Sequence, residues 1–320
     1  MKRFVWMLLV ACSVTAAAQN ADTIYVNGTI LTMDSANTVQ QALAVAGDSI
    51  SAVGTNESVL ARKTPGTRIV DLEGRTLMPG FVDAHGHFPL AGANDLYSAD
   101  LSAPPVGTVD ALPVLLTTLR ERAKRTPKGE WVIGMNYDDT GLAEQRHPTR
   151  HDLDKVSTDH PLFAFHRSLH IAAANSLALE IAGITSASPQ PDGGVIRMDP
   201  ETGEPDGVLE EIPAFGQVYF KIPPRSTEME VDAINHAAYM YAKQGVTTAQ
   251  NSYAQAGDLK ALGAAVEQDR LPIRVIAMPH HELALQAIEG AVTFDRVLEP
   301  SVFVGAAKII QDGSIQGYTG

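Results

Sequence analysis

Two histidines separated by one glycine, His85 and His87, are the residues whose type and spacing are best suited to chemistry. They end the apolar stretch LMPGFVDAHGHF, and residues two apart on a strand project from the same face. Two neutral imidazoles placed in this way can hold one metal ion through bonds of about 2.0–2.1 Å. Asp83, two residues before His85, is close enough to orient it. The spacing therefore predicts a metal site where a strand runs into a loop.

The residues before this motif predict a small β domain. Residues 22–78 contain short β-rich segments, with turn signals at Asn27-Gly28, Gly47-Asp48 and Glu73-Gly74. An Asn-Gly pair between two β-rich segments is a hairpin signal. Hairpins at this spacing favour a small β-sandwich or partial barrel, which we place at residues 19–79.

After Gly80 the pattern changes to apolar strands that alternate with amphipathic helices, which predicts a parallel α/β arrangement. The predicted strands are 81–85, 131–137, 161–166, 245–251, 273–279 and 304–313, and the predicted helices include 109–125, 228–243 and 256–268. Residues 186–227 are rich in Pro, Gly and Asp, so we predict a looped insertion there.

Charge and targeting signals restrict the partners. The 320-residue chain has a net charge of −13 and no basic cluster, which argues against nucleic acid as a partner. The charge says little about the substrate, which we expect to be a small molecule. A basic start, an apolar run and an alanine stretch predict a secretory signal peptide over residues 1–18. We therefore expect an exported protein, periplasmic or secreted, with no integral membrane span after cleavage. Lipoprotein anchoring through Cys12 is the less favoured alternative.

Cys12 is the only cysteine and lies within the predicted signal peptide. A transition metal would therefore have to be held by nitrogen and oxygen ligands.

Several motifs in a characteristic order carry a family resemblance. They are LMPGFVDAHGH, GVTTAQN at 245–251, and the stretches 147–179, 191–211 and 308–320. The chain resembles the amidohydrolase superfamily of metal-dependent hydrolases. Within it, the chain is similar to the family-3 branch, which includes N-substituted formamide deformylases and other amide or carbamate hydrolases. The resemblance runs from about residue 22 to the last residue.

The resemblance implies a fold and an activity. The fold is a distorted TIM (β/α)8-type barrel at residues 80–320, preceded by the β-sandwich. Residues 245–251, 273–279 and the segment around Lys308 become barrel strands two, three and four, and a large insertion occupies about 100–227. The implied activity is metal-dependent hydrolysis of a C–N bond in an N-substituted amide or formamide by a metal-activated water.

The resemblance also implies roles for individual residues. His85, His87 and Lys308 would bind one or two divalent metal ions, with zinc as the leading metal and iron or manganese as alternatives. Lys308 would be carboxylated by carbon dioxide. It is the only charge in VFVGAAKIIQ, and burial favours the neutral amine that reacts. A lysine that simply reaches solvent from a strand end is the alternative.

His170, Asp312 and Ser314 are expected to contact the substrate, although His170 could equally be a structural residue at a helix start. The other histidines are expected to be structural. We expect His166 to be structural, His236 to pack, His280 and His281 to lie in a loop, and His147, His151 and His160 to be surface or capping residues.

In the superfamily the site is completed by two later histidines and an aspartate that acts as general base. We expect these after residue 320, in a longer protein of which this chain is the N-terminal part. Two alternatives stay open: a truncated or degenerate chain without activity that acts at most as a binding module, and a barrel hydrolase acting on a cyclic amide. A homodimer is also left open.

Overall fold

Residues 20–293 and 300–310 are described by the computed structural model. The chain divides into two units, Met1–Gly80 and Phe81–Gly320. Helices and mixed sheets give the predicted α/β fold. The predicted signal peptide and Cys12 lie outside the described residues. Within the described ranges, no helix combines the length and apolar character needed to span a membrane.

In the described part of the first unit, residues 20–80, seven short strands form two sheets. The strands are β1 Thr23–Val26, β2 Thr29–Leu31, β3 Val39–Gln40, β4 Ala42–Ala46, β5 Ser49–Gly54, β6 Arg68–Asp71 and β7 Thr76–Leu77, and the helix α1 is Asn56–Leu60. The sheet orders are β5-β4-β1-β6 and β3-β2-β7. Along β1, Ile24 and Val26 are buried while Thr23 and Tyr25 are only half-buried, as expected for a strand with one face on a core.

Only one of the three predicted hairpin turns is a hairpin. Gly47-Asp48 joins the antiparallel pair β4 and β5. At Asn27-Gly28 the chain instead passes from one sheet to the other, because β1 pairs with β4 and β6 whereas β2 pairs with β3 and β7. Glu73-Gly74 makes the same passage from β6 to β7. Asn27, which follows β1, and Glu73, which follows β6, both have positive φ, 56° and 51°. Because β1 and β6 are parallel neighbours, the chain turns at the same level after both strands.

A four-stranded parallel sheet holds the motif residues of the second unit. Its strands are β8 Phe81–Val82, β15 Val246–Ala254, β16 Arg274–Pro279 and β17 Val302–Val304, in the order β17-β16-β15-β8. The associated helices are α2 Leu90–Tyr97, α7 Thr227–Lys243, α8 Ala256–Glu267 and α9 His281–Ile288. This is the strand order expected for the first four barrel strands. The complete barrel and the sandwich stay predictions.

Two of these strands differ from their predicted bounds. β8 ends at Val82 rather than at residue 85. β17 ends at Val304, whereas the predicted strand was 304–313. In both cases the polar residues of the motif follow the strand instead of lying on it. The core beneath the sheet is built from Ala249, Val275 and Val302 of the strands, packed against helix residues such as Ile234 and Leu262.

A second, six-stranded sheet forms most of the region between β8 and α7. Its strands are β9 Ala99–Asp100, β10 Val132–Tyr137, β11 Leu162–His166, β12 Ile171–Ala174, β13 Val195–Met198 and β14 Pro205–Glu210, in the order β13-β14-β12-β11-β10-β9. Its helices are α3 Leu112–Ala123, α4 Arg150–Asp154, α5 Ser176–Ala182 and α6 Ile212–Tyr219. β9, β10 and β11 are mutually parallel, and the remaining pairs are antiparallel.

The predicted loop at 186–227 is wrong over much of its length, because it contains β13, β14 and α6. Gly207 explains part of the error. It has φ 103°, and a Cβ there would lie 2.6 Å from the carbonyl oxygen of Ala174 and 2.6 Å from the nitrogen of Arg150. Gly207 lies within β14 and does not mark a loop. It allows neighbouring segments of the chain to approach this strand closely.

Candidate functional site

His85 and His87 lie in the loop that follows β8, at the carboxyl end of the parallel sheet. The prediction that they share a strand face is wrong, because the strand ends at Val82. Their rings nevertheless come together, with centroids 5.7 Å apart and planes at 85°. Both side chains reach the surface, and His87 is also partly enclosed by its neighbours. The loop, and not strand alternation, brings the two imidazoles to one place.

Asp83 organises this loop through the main chain. Its Oδ1 accepts the N–H of His85 at 3.2 Å, and its Oδ2 accepts the N–H of Gln250 in β15 at 3.4 Å. A Cβ at Gly86 would lie 2.2 Å from Asp83 Oδ2, so the turn requires glycine there. Asp83 therefore orients His85, as predicted, but by holding its backbone and not its ring.

The ring of His85 is oriented by Ser252, which is fully buried. Ser252 Oγ donates to Gln250 Oε1 at 2.8 Å and lies 3.2 Å from His85 Nδ1. A hydroxyl has only one proton to donate, so the second contact is a donation from His85 Nδ1–H to Ser252 Oγ. The lone pair of His85 is then on Nε2, the form that binds a metal.

His87 is held against β15 by a main-chain bridge to Asn251. Partial burial lowers the pKa of His87 below its ordinary value, and the positive charges of His85 and Lys308 lower it further, while Asp83 acts in the opposite direction. A lowered pKa keeps this imidazole neutral at pH 7, as a metal ligand must be.

Lys308 lies beyond β17, beside the end of β16. Its N–H donates to the carbonyl oxygen of Pro279 at 2.8 Å, and its main chain bridges to His280. The predicted strand position of Lys308 is wrong, because β17 ends at Val304. Lys308 is half-buried, so the burial expected to favour its neutral amine is partial. Its charge still lowers the pKa of His87, so the fold brings Lys308 toward the histidine pair.

His280 is a neighbour of this group that the sequence prediction treated as a loop residue. It directly follows β16, and its ring stacks on Tyr253, with centroids 5.6 Å apart and planes at 28°. The available signal was its position immediately after an apolar parallel strand, the same position that drew attention to His85.

Of the three predicted substrate-contacting residues, the structure describes His170 alone. His170 lies beside the six-stranded sheet, where its Nδ1 is 2.9 Å from Glu211 Oε2. Asp312 and Ser314 lie outside the described residues.

A second group of ionisable side chains lies at the carboxyl ends of β10 and β11. Asp138, Asp139 and His166 each offer one ligand atom, and these atoms lie within 4.8 Å of one another. His147 borders the group, with its Nε2 3.7 Å from Asp139 Oδ2. The sequence prediction missed this cluster, because His166 is distant along the chain from the Asp138-Asp139 pair and no recognisable spacing links them.

The environment of these histidines corrects two predictions. Burial lowers the pKa of His147 to about 4, against the opposing effect of Asp139. His147 is thus a buried residue, not a surface or capping one, and its Nδ1 lies 3.0 Å from Tyr137 Oη. Burial also lowers the pKa of His166, with Asp139 and Asp138 acting in the opposite direction. His160 is likewise buried, with its Nδ1 2.9 Å from the carbonyl oxygen of Glu130.

Comparison with known proteins gives the family. The profile described as "Amidohydrolase family" matches residues 68–320, so the chain belongs to the amidohydrolase family. It is 31% identical over 303 residues to the N-substituted formamide deformylase of Arthrobacter pascens, covering 92% of this chain and 55% of that protein. It is also 31% identical over 302 residues to the putative amidohydrolase YtcJ of Bacillus subtilis (strain 168), with the same coverage of 92% and 55%.

Solved structures agree at the level of the fold. An uncharacterized metal-dependent hydrolase from Pyrococcus furiosus is similar with a TM-score of 0.67 and 23% identity, over 91% of this chain and 57% of that one. Its counterpart from Pyrococcus horikoshii gives a TM-score of 0.66 and 24% identity, over 91% and 55%. The chain spans about half the length of the curated relatives it matches.

Proposed function

We propose that the protein of which this chain forms at least part is an exported metal-dependent hydrolase that cleaves the C–N bond of an N-substituted amide or formamide. The observation that carries the proposal is the approach of His85 and His87, 5.7 Å between ring centroids, at the carboxyl end of a parallel sheet. Active sites of barrel enzymes lie at this end of the strands. The similarity to an N-substituted formamide deformylase supports the substrate class.

The residues present fit a divalent metal ion. The hydroxyl of Ser252 leaves the lone pair of His85 on Nε2, and His87 is neutral because burial and nearby positive charge lower its pKa. Lys308 as an ammonium would repel a cation, whereas its carboxylated form would attract one. When bound, a metal of this kind lowers the pKa of a water molecule and polarises the carbonyl group that the water attacks.

The described residues would act mainly by holding and orienting. His85 and His87 would bind the metal, Asp83 would fix the loop that carries them, and Ser252 would fix the ring of His85. Two imidazoles and one lysine do not complete a catalytic site among the described residues, so the general base and the remaining ligands would come from other parts of the full-length protein. Zinc is the preferred metal for a nitrogen and oxygen donor set.

The test is the double variant His85→Ala/His87→Ala in the full-length protein. Hydrolysis of an N-alkyl formamide should be lost, and metal content measured by plasma mass spectrometry should fall by at least one equivalent per chain. The control is His236→Ala, which removes an imidazole of α7 whose Nε2 lies 2.6 Å from Asp95 Oδ2 of α2. Unchanged metal content in the double variant would disprove the site.

Carboxylation of Lys308 has its own test. Protein reconstituted with zinc in ¹³C-bicarbonate should show a carbamate resonance by NMR, and Lys308→Arg should lack it. A zinc-loaded wild-type protein without that resonance would remove carboxylation from the proposal and leave the histidine pair untouched.

Export rests on the sequence of residues 1–18 alone. Expression in a Gram-negative host with and without these residues, followed by fractionation, tests it. We expect the complete protein in the periplasm, shortened at its N-terminus, and the truncated one in the cytoplasm; retention of the complete protein in the cytoplasm would refute export.

A further inference from the structure

The cluster at the ends of β10 and β11 is assembled by strand pairing. The two strands are parallel neighbours, and Tyr137 of β10 lies opposite His166 of β11. Asp138 and Asp139 therefore leave one strand at the level where His166 ends the next. The register of β10 against β11 shifts between Gly134 and Tyr137. An irregularity of this kind changes the direction of the side chains that follow it.

His166 has a polar atom with no hydrogen bond. The residue is 2% exposed, and its Nε2 has no hydrogen-bond partner among the described residues. Nε2 lies 3.1 Å from Asp139 Oδ1, but the two are not aligned for a hydrogen bond. A buried polar atom without a partner is costly, and it requires an explanation.

Asp139 supplies the complementary charge. Asp138 is already engaged, since its Oδ2 accepts from Arg167 at 2.7 Å and its Oδ1 accepts from the hydroxyl of Thr140 at 2.7 Å. Asp139 meets only the imidazoles of His147 and His166 within salt-bridge distance in the described part of the chain. The carboxylate of Asp139, only 22% exposed, thus lies between two histidines without a permanent cation.

The separations match those of ligands around one ion. Metal bonds of about 2.0–2.1 Å place two tetrahedral ligand atoms roughly 3.3 Å apart. His166 Nε2 lies 3.1 Å from Asp139 Oδ1 and 4.0 Å from Asp138 Oδ1, and His147 Nε2 lies 3.7 Å from Asp139 Oδ2. Small side-chain adjustments would bring these atoms to bonding distance.

The far side of each imidazole is held by a hydroxyl group. His166 Nδ1 lies 2.8 Å from Ser168 Oγ, and His147 Nδ1 lies 3.0 Å from Tyr137 Oη. His166 Nδ1 also accepts the main-chain N–H of Ser168 at 3.2 Å, so in the metal-free protein its ring proton is on Nε2, toward Asp139, and a bound metal would displace that proton. These polar partners fix the plane of each ring with its Nε2 directed at Asp139.

We propose that Asp139, His166 and His147, bordered by Asp138, form a second divalent-metal site within the six-stranded sheet region. The chemistry of two nitrogens and a carboxylate suits zinc, and equally cobalt(II) as a probe. The site joins the ends of β10 and β11 to the loop that carries His147. It is independent of the histidine pair at the parallel sheet.

The experiment measures zinc and cobalt(II) binding by metal-stripped protein. Wild type should bind about one equivalent more per chain than Asp139→Asn or His166→Gln, and its melting temperature should rise more on zinc addition. The matched control is His160→Gln, which alters another buried histidine of the same sheet region and should keep wild-type binding. His85→Ala/His87→Ala should also retain this equivalent, which separates the result from the proposed hydrolase site.

Diffraction from zinc-soaked wild-type crystals at the zinc absorption edge decides the matter without variants. We expect an anomalous peak among Asp139, His166 and His147. A map with no peak there at saturating zinc, or equal metal content in wild type, Asp139→Asn and His166→Gln, would overturn the proposal.

Discussion

The main-chain N–H of Lys308 donates to the carbonyl oxygen of Pro279 at 2.8 Å, which fixes the segment after β17 against the end of β16. This bond places Lys308 on the same edge of the parallel sheet as the histidines that follow β8. A residue distant in sequence thereby contributes to the electrostatics of His87.

Removing the charge of Lys308 should therefore change the titration of His87. In metal-free Lys308→Met we expect the pKa of His87 to rise, because a neighbouring positive charge that disfavours its protonation is gone. NMR titration of the imidazole resonances measures this shift. Lys260→Met, which removes an exposed lysine from α8, should leave the pKa unchanged, and an unchanged value in both variants would contradict the placement of Lys308.

His170 offers a test of the predicted substrate contact. Glu211 holds its ring through Nδ1, and the N–H of Glu211 donates to the carbonyl oxygen of His170 at 2.7 Å. If the ring is held for the substrate, His170→Asn should reduce kcat/KM about tenfold or more, as expected for a lost hydrogen bond to a charged or polar group. His151→Asn, at an exposed histidine of α4, is the control. Equal kinetics in both variants would make His170 purely structural.

The contact between α2 and α7 depends on Gly92. A Cβ at this position would lie 2.3 Å from the carbonyl oxygen of Ala233 and 2.6 Å from the nitrogen of Ala237. Gly92→Ala should therefore lower the free energy of unfolding by about 1–3 kcal/mol through overpacking. Gly257→Ala, in α8 where a Cβ meets nothing within 4 Å, should instead raise it by about 0.5–1 kcal/mol. Thermal unfolding compares the two, and equal melting temperatures would refute the close helix contact.

The lowered pKa of Asp152 leads us to expect that the protein loses stability in acid. Burial alone would raise its pKa, but hydrogen bonds from Arg146, Thr149 and Lys155 outweigh burial and hold the pKa well below its ordinary value. Its contribution is then fully present above the unfolded-state pKa of about 3.9 and is lost as the pH falls toward the folded value. Asp152→Asn should cost about 1–3 kcal/mol at pH 7 and progressively less below pH 4.

Urea unfolding at several pH values measures this difference. Asp159→Asn, which removes an exposed ion pair with Lys128, should cost no more than about 0.5 kcal/mol at any pH. A wild-type advantage over Asp152→Asn that did not shrink in acid would contradict the lowered pKa.

Local patterns were predictable from the sequence. Helices α3, α7 and α8 and strands β10, β11 and β16 lie where apolar periodicity placed them, because that periodicity records which face of a segment is buried. The motif around His85 and His87 also predicted a polar group at the end of the first parallel strand. Family membership followed from several motifs in order and is confirmed by the match over residues 68–320.

Which strands pair, and which distant residues meet, was decided by the tertiary structure alone. The turn signal at Asn27-Gly28 predicted a hairpin, but pairing of β1 and β2 with different strands made it a passage between sheets. Likewise, His147 and His166 were expected to be surface and structural residues. Only the parallel pairing of β10 with β11 brought His166 to Asp139, and the loop after β10 brought His147 there. The reason is physical: a residue's own neighbours in the chain set its local conformation and face. The distant segment that it meets depends on strand order and register, which no local spacing encodes.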